Sequence, residues 1–311
     1  MRRCDRSCAG GLRNVFSCAT ICTLVRAGRR GGYPPLPDAD SRRSVNTILL
    51  TGAGKMGSAL LRGWLAHGIA PERLAVFEPQ PSGDLLALGA EHKFRLNPAI
   101  AGIREVEALV LAVKPQSMQD ALPAFSPCAS EKTLVLSIAA GKPVGFLEPF
   151  FPVSPIVRAM PNTPAAIGQG ITALYANARV TRTQRDLATL LMKAAGETVW
   201  IGDEALMDPV TAVSGSGPAY VFLLIEALAL AGEKAGLDSA LAGRLARQTV
   251  IGAAALAAQS PESAAQLREN VTSPGGTTAA ALSVLMGSHG LGALMEEAVA
   301  AASRRSRELA E

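Results

Sequence analysis

Short, continuous apolar runs mark the first two thirds of the chain and predict β-strands. The predicted strands are Thr47–Thr51, Leu74–Glu78, Ala108–Val113, Thr133–Ile138, Ile156–Ala159, Ile171–Tyr175 and Thr198–Ile201. Apolar runs without alternating polar positions are typical of parallel strands that helices cover on both faces. Helical patterns between several strands support this interpretation, at Ser58–Ala66, Gln116–Ala124 and Arg182–Ala195. We therefore predict an α/β domain over residues 45–203, with a doubly wound, mostly parallel sheet.

The chain changes character after about Asp203, because no further strand pattern follows. Long helical patterns cover Ala219–Ala235, Ala240–Gln259 and Leu291–Leu309. The first of these is apolar on nearly every face, and such a helix must be buried on every face. A helical domain of about 100 residues has little interior of its own for this purpose. We therefore predict an all-helical domain over residues 204–311 that pairs with a second copy as an intertwined homodimer.

Residues 1–44 form a segment of different composition. They hold nine arginines, three aspartates and four of the five cysteines, Cys4, Cys8, Cys18 and Cys22. An Arg-rich, acid-poor segment overlaps in composition with an organelle targeting peptide, and its two C-x3-C pairs leave a metal site as a further alternative. We favour a disordered extension, or residues upstream of the true start codon.

The rest of the chain has little net charge. The whole sequence carries +4, and residues 1–44 alone carry +6, so the remainder carries −2. A near-neutral surface argues against nucleic-acid binding. A single cysteine in this part, Cys128, excludes a disulfide framework and favours a reducing compartment, so we expect a cytoplasmic protein. We also expect no metal and no membrane partner, because neither ligand spacing nor a transmembrane run with flanking charges is evident.

A glycine-rich loop follows the first predicted strand. Its residues are Gly52, Ala53, Gly54, Lys55, Met56 and Gly57, and a helical pattern begins directly after them. In a G-x-G-x-x-G loop the first glycine permits a tight turn, the second lets the backbone approach a pyrophosphate, and the third lets helix and strand pack closely. The helix N-terminus then offers free N–H groups to the phosphates. The context predicts a Rossmann domain that binds NADH or NADPH.

Two further segments belong to the predicted coenzyme site. Glu78 ends the second strand, where a carboxylate can accept hydrogen bonds from an adenosine ribose, and this favours NAD although the preference stays open. At the carboxyl end of the third strand lie Ala112, Val113, Lys114 and Pro115. Ligands of this fold bind at such strand ends, and Pro115 can begin the next helix because it needs no N–H donor there.

The helical domain contains one dense run of special residues, from Asn270 to Thr278. Pro274, Gly275 and Gly276 predict a tight turn, and Thr277 and Thr278 then open an apolar helix. Free N–H groups and hydroxyls at such a helix N-terminus suit a small carboxylate, although an ordinary capped helix start is equally compatible. Two other segments, Met160–Pro164 and the glycine-rich turn Ser214–Tyr220, are open between a functional and a plain loop interpretation.

These motifs, in this order and spacing, resemble pyrroline-5-carboxylate reductase over about residues 46–309. The resemblance rests on Gly-Ala-Gly-x-Met-Gly, Ala-Val-Lys-Pro, Met-Pro-Asn-Thr-Pro, Ser-Gly-Ser-Gly-Pro-Ala-Tyr and Val-Thr-Ser-Pro-Gly-Gly-Thr-Thr. It implies reduction of 1-pyrroline-5-carboxylate to proline with NADPH or NADH, the final step of proline biosynthesis. It also implies a dimer of interlocked helical domains, possibly a decamer, with the site shared between subunits.

The resemblance also implies roles for individual residues. Thr278 would approach the ring nitrogen of the imino acid as the catalytic residue, and Asn97 would help to hold the adenosine end of the coenzyme. The implied substrate-binding residues are Glu262, Asn270, Val271, Ser273, Gly276, Thr277 and Thr278. Glu78 stands where many members of the family carry a small polar residue.

Two other functions are compatible with this layout. A β-hydroxyacid dehydrogenase also joins a Rossmann domain to a helical one, and such enzymes resemble this layout. They carry a catalytic Lys early in the first buried helix and an Asn four residues later, whereas this chain has Val221 and Ile225 at these positions. A dinucleotide sensor without catalysis is the second alternative. The run Asn270–Thr278 argues against a sensor, because a sensor needs no carboxylate site.

Overall fold

The computed structural model describes residues 46–103 and 106–309. The predictions for residues 1–44 therefore lie outside the described residues. Within the described ranges the chain is a Rossmann domain followed by a helical domain, as the sequence predicts.

The first domain is built on one sheet of eight strands. The strands are β1 (Thr47–Thr51), β2 (Leu74–Phe77), β3 (Arg95–Leu96), β4 (Val106–Leu111), β5 (Leu134–Ser137), β6 (Ile156–Met160), β7 (Gly170–Ala176) and β8 (Gly196–Trp200). Their order is β3-β2-β1-β4-β5-β6-β7-β8, and only the β6–β7 pair is antiparallel. The order reverses between β1 and β4, and in this fold such a switch point opens a crevice at the carboxyl ends of the strands.

Helices cover both faces of the sheet, which explains the continuous apolar runs. They are α1 (Lys55–Ala66), α2 (Gly83–His92), α3 (Met118–Phe125), α4 (Val144–Leu147) and α5 (Arg182–Lys193). Successive residues of β1 point to opposite faces: Ile48 and Leu50 join one buried cluster with Trp64, whereas Leu49 joins the other with Leu122. Both clusters are closed to solvent, so the central strands are apolar at most positions, whereas β8 at the edge of the sheet has no buried residue.

The sequence did not predict α2. Only two of its residues, Leu85 and Leu88, are buried. Two apolar positions are too few to show a clear helical period in the sequence. The Ser82 hydroxyl caps it by accepting a hydrogen bond from the Leu85 N–H at 3.2 Å, and a serine at this place is a local signal for a helix start.

The second domain is helical throughout its described length. It begins with α6 (Met207–Val210), a π-helical turn (Thr211–Gly215) and α7 (Gly217–Lys234), and continues with α8 (Ser239–Gln259), α9 (Ala264–Asn270), α10 (Thr277–Leu285) and α11 (Leu291–Glu308). The prediction of a glycine-rich turn at Ser214–Tyr220 is wrong, because the helical course continues through these residues. Pro218 sits in the first turn of α7, where its missing N–H is not needed.

Within the described ranges, the helical stretch Glu204–Lys234 is buried only near its start, at Met207 and Ala212. It spans 31 residues, with a mean hydropathy of 1.5 over its most apolar window, and by length and composition alone it could cross a membrane. No residue of α7 is buried, and Phe222 is 64% exposed. Because exposed apolar surface of this extent is unfavourable in water, α7 requires a partner surface.

Candidate active site

The carboxyl ends of three adjacent strands meet at the switch point. Thr51, the last residue of β1, pairs in register with Phe77 of β2 and Leu111 of β4. The N–H of Gly52 donates to the carbonyl of Phe77 at 2.8 Å, and the N–H of Ala112 donates to the carbonyl of Thr51 at 2.8 Å. The glycine loop is therefore held between the segments that follow β2 and β4.

The three loop glycines meet three different steric conditions. Gly52 has a φ of 88°, and a Cβ there would lie 2.6 Å from the carbonyl oxygen of Ala112. A Cβ on Gly57 would overlap the carbonyl oxygen of Gly52, whereas one on Gly54 would meet nothing within 4 Å. The first and third glycines thus permit packing, and Gly54 faces open space, as an approach to a ligand requires.

The N-terminus of α1 fits a diphosphate. Among the described residues no side chain caps this end, which begins after Gly54 with Lys55 and Met56. The first N–H groups of a helix have no partner within it. Ser58 donates its hydroxyl to the carbonyl of Ala53 at 2.7 Å, which fixes the loop from behind. The arrangement can hold an anion through backbone groups alone.

Glu78 and Asn97 form one connected unit beside this loop. A carboxylate oxygen of Glu78 accepts the N–H of Ala53 at 2.8 Å, and the other accepts the N–H of Gln80 at 3.1 Å. The Asn97 side chain accepts the N–H of Glu78 and donates to its carbonyl, both at 2.8 Å. Asn97 therefore holds the backbone of Glu78, and Glu78 ties the end of β2 to the glycine loop.

The segment Ala112–Pro115 lies directly across from Gly52. Ala112, Val113 and Pro115 are half-buried, whereas Lys114 is exposed. Pro115 occupies the first position of a short 3-10 helix that leads into α3, which confirms that it begins the next helical segment.

The end of β5 adds a segment that sequence analysis did not assign to the site. Ile138 donates its N–H to the carbonyl of Leu111 at 3.0 Å, so the loop after β5 runs beside the loop after β4. Gly141 in this loop has a φ of 68°, a conformation that favours glycine. The segment follows the carboxyl end of a parallel strand, and this position was the sequence signal that could have assigned it to the coenzyme site.

The predicted substrate residues lie in the helical domain around α9. A carboxylate oxygen of Glu262 accepts a hydrogen bond from the side-chain amide of Asn270 at 3.1 Å. The side-chain oxygen of Asn270 in turn accepts a hydrogen bond from the side-chain amide of Gln266 at 3.0 Å. The structure thus brings Glu262 and Asn270 together across α9. Both are exposed in the single chain, as is Val271.

The turn after α9 leads into α10 as predicted. Gly275 has a φ of 69°, and the N–H of Gly276 donates to the carbonyl of Ser273 at 3.0 Å. Thr277 is the first residue of α10, and Gly276 precedes it without a side-chain cap within the described ranges. Thr278 is half-buried one residue further on. The turn therefore presents free helix N–H groups and hydroxyls on an open surface.

Two motifs that sequence analysis left open contact each other. The side-chain amide of Asn162 donates to the Ser214 hydroxyl at 3.3 Å, and it accepts the N–H of Ile171 at 3.0 Å. A Cβ on Gly215 would lie 2.5 Å from the terminal methyl of Met160. The end of β6 therefore packs closely on the π-helical turn, and π-turns occur frequently at functional sites.

Comparison with known proteins extends this geometry. A family model described as pyrroline-5-carboxylate reductase dimerisation matches residues 204–309. The chain is 42% identical over 278 residues to a pyrroline-5-carboxylate reductase of Pseudomonas aeruginosa, covering 86% of this chain and 98% of that protein. The chain belongs to the pyrroline-5-carboxylate reductase family.

Other members of the reductase family agree with this assignment. The relative from Synechocystis is 44% identical over 84% of this chain and 97% of its own. A solved reductase structure from Coxiella burnetii aligns with a TM-score of 0.79 at 36% identity, covering 86% of this chain and all of that one. A Plasmodium falciparum reductase structure with NADP bound aligns at 0.73 and 32%, with 86% and 100% coverage.

The matched ranges contain every predicted site residue of this reductase. A model for NADP oxidoreductases, coenzyme F420-dependent, covers residues 47–141, which include the glycine loop, Glu78, Asn97 and the Ala112–Pro115 segment. The dimerisation range includes Glu262 and the run Asn270–Thr278.

Proposed function

We propose that this chain reduces 1-pyrroline-5-carboxylate to proline with NAD(P)H, the final step of proline biosynthesis. The observation that carries the proposal is the 42% identity to a reductase of that name over nearly its whole length. The β-hydroxyacid dehydrogenase alternative is disfavoured, because Val221 and Ile225 of α7 cannot transfer a proton.

The proposed coenzyme site joins the loops after β1, β2, β4 and β5. The N-terminus of α1 would bind the diphosphate through the N–H groups around Lys55, Met56 and Gly57. Glu78 and Asn97 would hold the adenosine end, and Ala112–Pro115 would border the nicotinamide end. When bound, the dihydronicotinamide supplies a hydride to the imine carbon.

The proposed substrate site is the turn from Ser273 to Thr278. Backbone N–H groups and the hydroxyls of Ser273 and Thr277 would bind the substrate carboxylate, which suits a helix N-terminus. Thr278 would donate a hydrogen bond to the ring nitrogen, while Glu262, Asn270 and Val271 shape the pocket. Rate enhancement would come mainly from proximity and from electrostatic fixing of the carboxylate.

We further propose that residues 45–203 and 204–311 act as separate domains in a homodimer. The exposed apolar surface of α7 would be covered by the helical domain of a second copy, not by a membrane. A site shared between subunits, assembly of dimers into a decamer and a cytoplasmic location complete the proposal.

Steady-state kinetics on the purified chain test this function directly. The chain, starting near Val45, is mixed with 1-pyrroline-5-carboxylate and either NADH or NADPH. We expect loss of the reduced coenzyme with an equal amount of proline formed. Tight coenzyme binding without proline formation from either coenzyme would support the sensor alternative, and turnover of a β-hydroxyacid would support the dehydrogenase.

A further inference from the structure

The side of the coenzyme site that faces the adenosine ribose is acidic. Glu78 lies one residue beyond β2, and its two carboxylate oxygens each accept a backbone N–H, from Ala53 at 2.8 Å and from Gln80 at 3.1 Å. Two such bonds fix the carboxylate between the glycine loop and the β2–α2 loop. In Rossmann domains an acidic residue at this place accepts hydrogen bonds from the ribose hydroxyls.

Asn97 restricts any movement of Glu78 away from this place. It binds both the N–H and the carbonyl of Glu78 through its side-chain amide, and its own N–H donates to the carbonyl of Val76 at 2.8 Å. Asn97 adopts a φ of 48°, a left-handed conformation that asparagine tolerates better than most residues. Asn97 is therefore a positioning residue for Glu78.

The loop after Glu78 has few donors to offer a phosphate, and none of them is charged. Its sequence, Pro79-Gln80-Pro81-Ser82, contains no cationic residue. The two prolines have no N–H group, and the N–H of Gln80 is already bonded to Glu78. The Ser82 hydroxyl accepts the Leu85 N–H as the cap of α2, so only its own proton and the Gln80 side-chain amide are left to donate. A 2′-phosphate at this position would meet a fixed carboxylate and no cation from the loop.

One nearby feature acts in the opposite direction. A cavity of about 310 Å³ beside the glycine loop is lined by two cations of α1, Lys55 and Arg62, together with Ser82 and Asp84 of the α2 region. Asp84 and Glu78 carry as many negative charges as the two cations carry positive charges. Both cations are exposed to solvent, where their attraction is screened. The preference between NADH and NADPH therefore depends on the fixed carboxylate of Glu78 more than on these two cations.

We infer that Glu78 makes this chain select NADH over NADPH, with its carboxylate accepting the ribose hydroxyls and repelling a 2′-phosphate. The inference deepens the proposed function and rests on it for the reaction. The preference for NADH is a property of binding and does not depend on turnover.

Equilibrium binding on the full chain tests the inference. Dissociation constants for NADH and NADPH are measured by fluorescence, and ADP-ribose is compared with its 2′-phosphorylated form as a competitor. We expect NADH to bind at least about tenfold more tightly, which corresponds to a modest charge repulsion. Kinetic constants with each coenzyme then report whether kcat/KM follows the same ratio.

Glu78→Gln and Glu78→Ser remove the charge. We expect each to shift the NADH:NADPH ratio towards NADPH by about tenfold or more. Glu91→Gln, on an exposed site of α2, is the matched control and leaves the ratio unchanged. If circular dichroism shows that the Glu78 variants do not fold, the inference is tested on the wild type alone. The ratio of its dissociation constants for NADH and NADPH, and the competition by ADP-ribose and its 2′-phosphorylated form, then show whether the chain selects NADH.

Two outcomes overturn the inference: equal or tighter binding of NADPH by the wild type, or a ratio unchanged in both folded Glu78 variants. Failure of the proposed function is distinguishable, because it appears as selective NADH binding without reduction of 1-pyrroline-5-carboxylate.

Discussion

The guanidinium of Arg158 donates a 3.1 Å hydrogen bond to a carboxylate oxygen of Glu204. The same oxygen accepts the N–H of Val144 at 2.8 Å, at the start of α4. The Arg158 side chain is only 6% exposed and that of Glu204 24%. Glu204 therefore connects the beginning of the helical domain to β6 and α4 of the Rossmann domain.

We expect Glu204→Ala to lower the free energy of unfolding by about 3 kcal/mol, because it leaves a buried arginine without its partner. Denaturant unfolding measures the change. The exposed pair Arg179–Glu148 provides the control, and Glu148→Ala should cost less than about 1 kcal/mol. Equal effects of the two variants would contradict a role for burial.

Gly54 and Gly57 should respond differently to alanine. A Cβ on Gly57 overlaps the Gly52 carbonyl, so we expect Gly57→Ala to lose roughly 2 kcal/mol of stability through overpacking. A Cβ on Gly54 meets nothing in the chain. Gly54→Ala should therefore keep its melting temperature and lose coenzyme affinity by about tenfold or more. Thermal unfolding and fluorescence titration separate the two effects, and a Gly54→Ala protein with normal affinity would remove this residue from the diphosphate site.

Thr278→Ala should lower kcat/KM for 1-pyrroline-5-carboxylate by roughly tenfold to a hundredfold, because a donor to the ring nitrogen is lost. Dinucleotide binding should survive. Ser283→Ala on the same helix is the control, since its hydroxyl donates to the carbonyl of Ala280 at 2.7 Å and has no proposed role. Unchanged kcat/KM in Thr278→Ala would remove Thr278 from the site.

Leu223→Glu should convert the proposed dimer into a monomer, because it places a charge on the apolar surface of α7. Leu223 is 63% exposed in the single chain and Leu86, on α2, is 51% exposed. Leu86→Glu is therefore a matched control that should leave the mass unchanged. Light scattering measures both. A monomeric wild type, or a dimeric Leu223→Glu protein, would contradict the proposed interface.

The strand pattern was predictable because helices cover both faces of the sheet. Every residue of β1 is buried, and its three central residues, Ile48–Leu50, are apolar. The position of the glycine loop followed from the same logic, since only one glycine-rich run joins a strand to a helix in that register. The apolar pattern therefore predicted the sheet, which is confirmed, and the glycine-rich run placed the predicted coenzyme site at the end of β1.

The errors arose where local residue types suggested one structure and long-range packing imposed another. Glycines and a serine-rich composition at Ser214–Tyr220 indicated a turn, yet the π-helical turn accommodates them because Gly215 lies against Met160, far away in sequence. The prediction of a mostly parallel sheet is confirmed, but it did not identify β6–β7 as the antiparallel pair, because no local pattern of β7 encodes its direction. The roles of the substrate residues stay predictions. Glu262, Asn270 and Thr278 belong to a site that is proposed to be shared between subunits, and the structure describes a single chain.

The uncovered length of α7 has a consequence for how the enzyme is made. Within the described residues, a newly synthesised chain leaves much of the apolar surface of α7 exposed, and such a surface favours aggregation until a partner covers it. Association into the proposed homodimer is second order in chain concentration, so the assembled fraction would rise with concentration and dilution would destabilise the dimer.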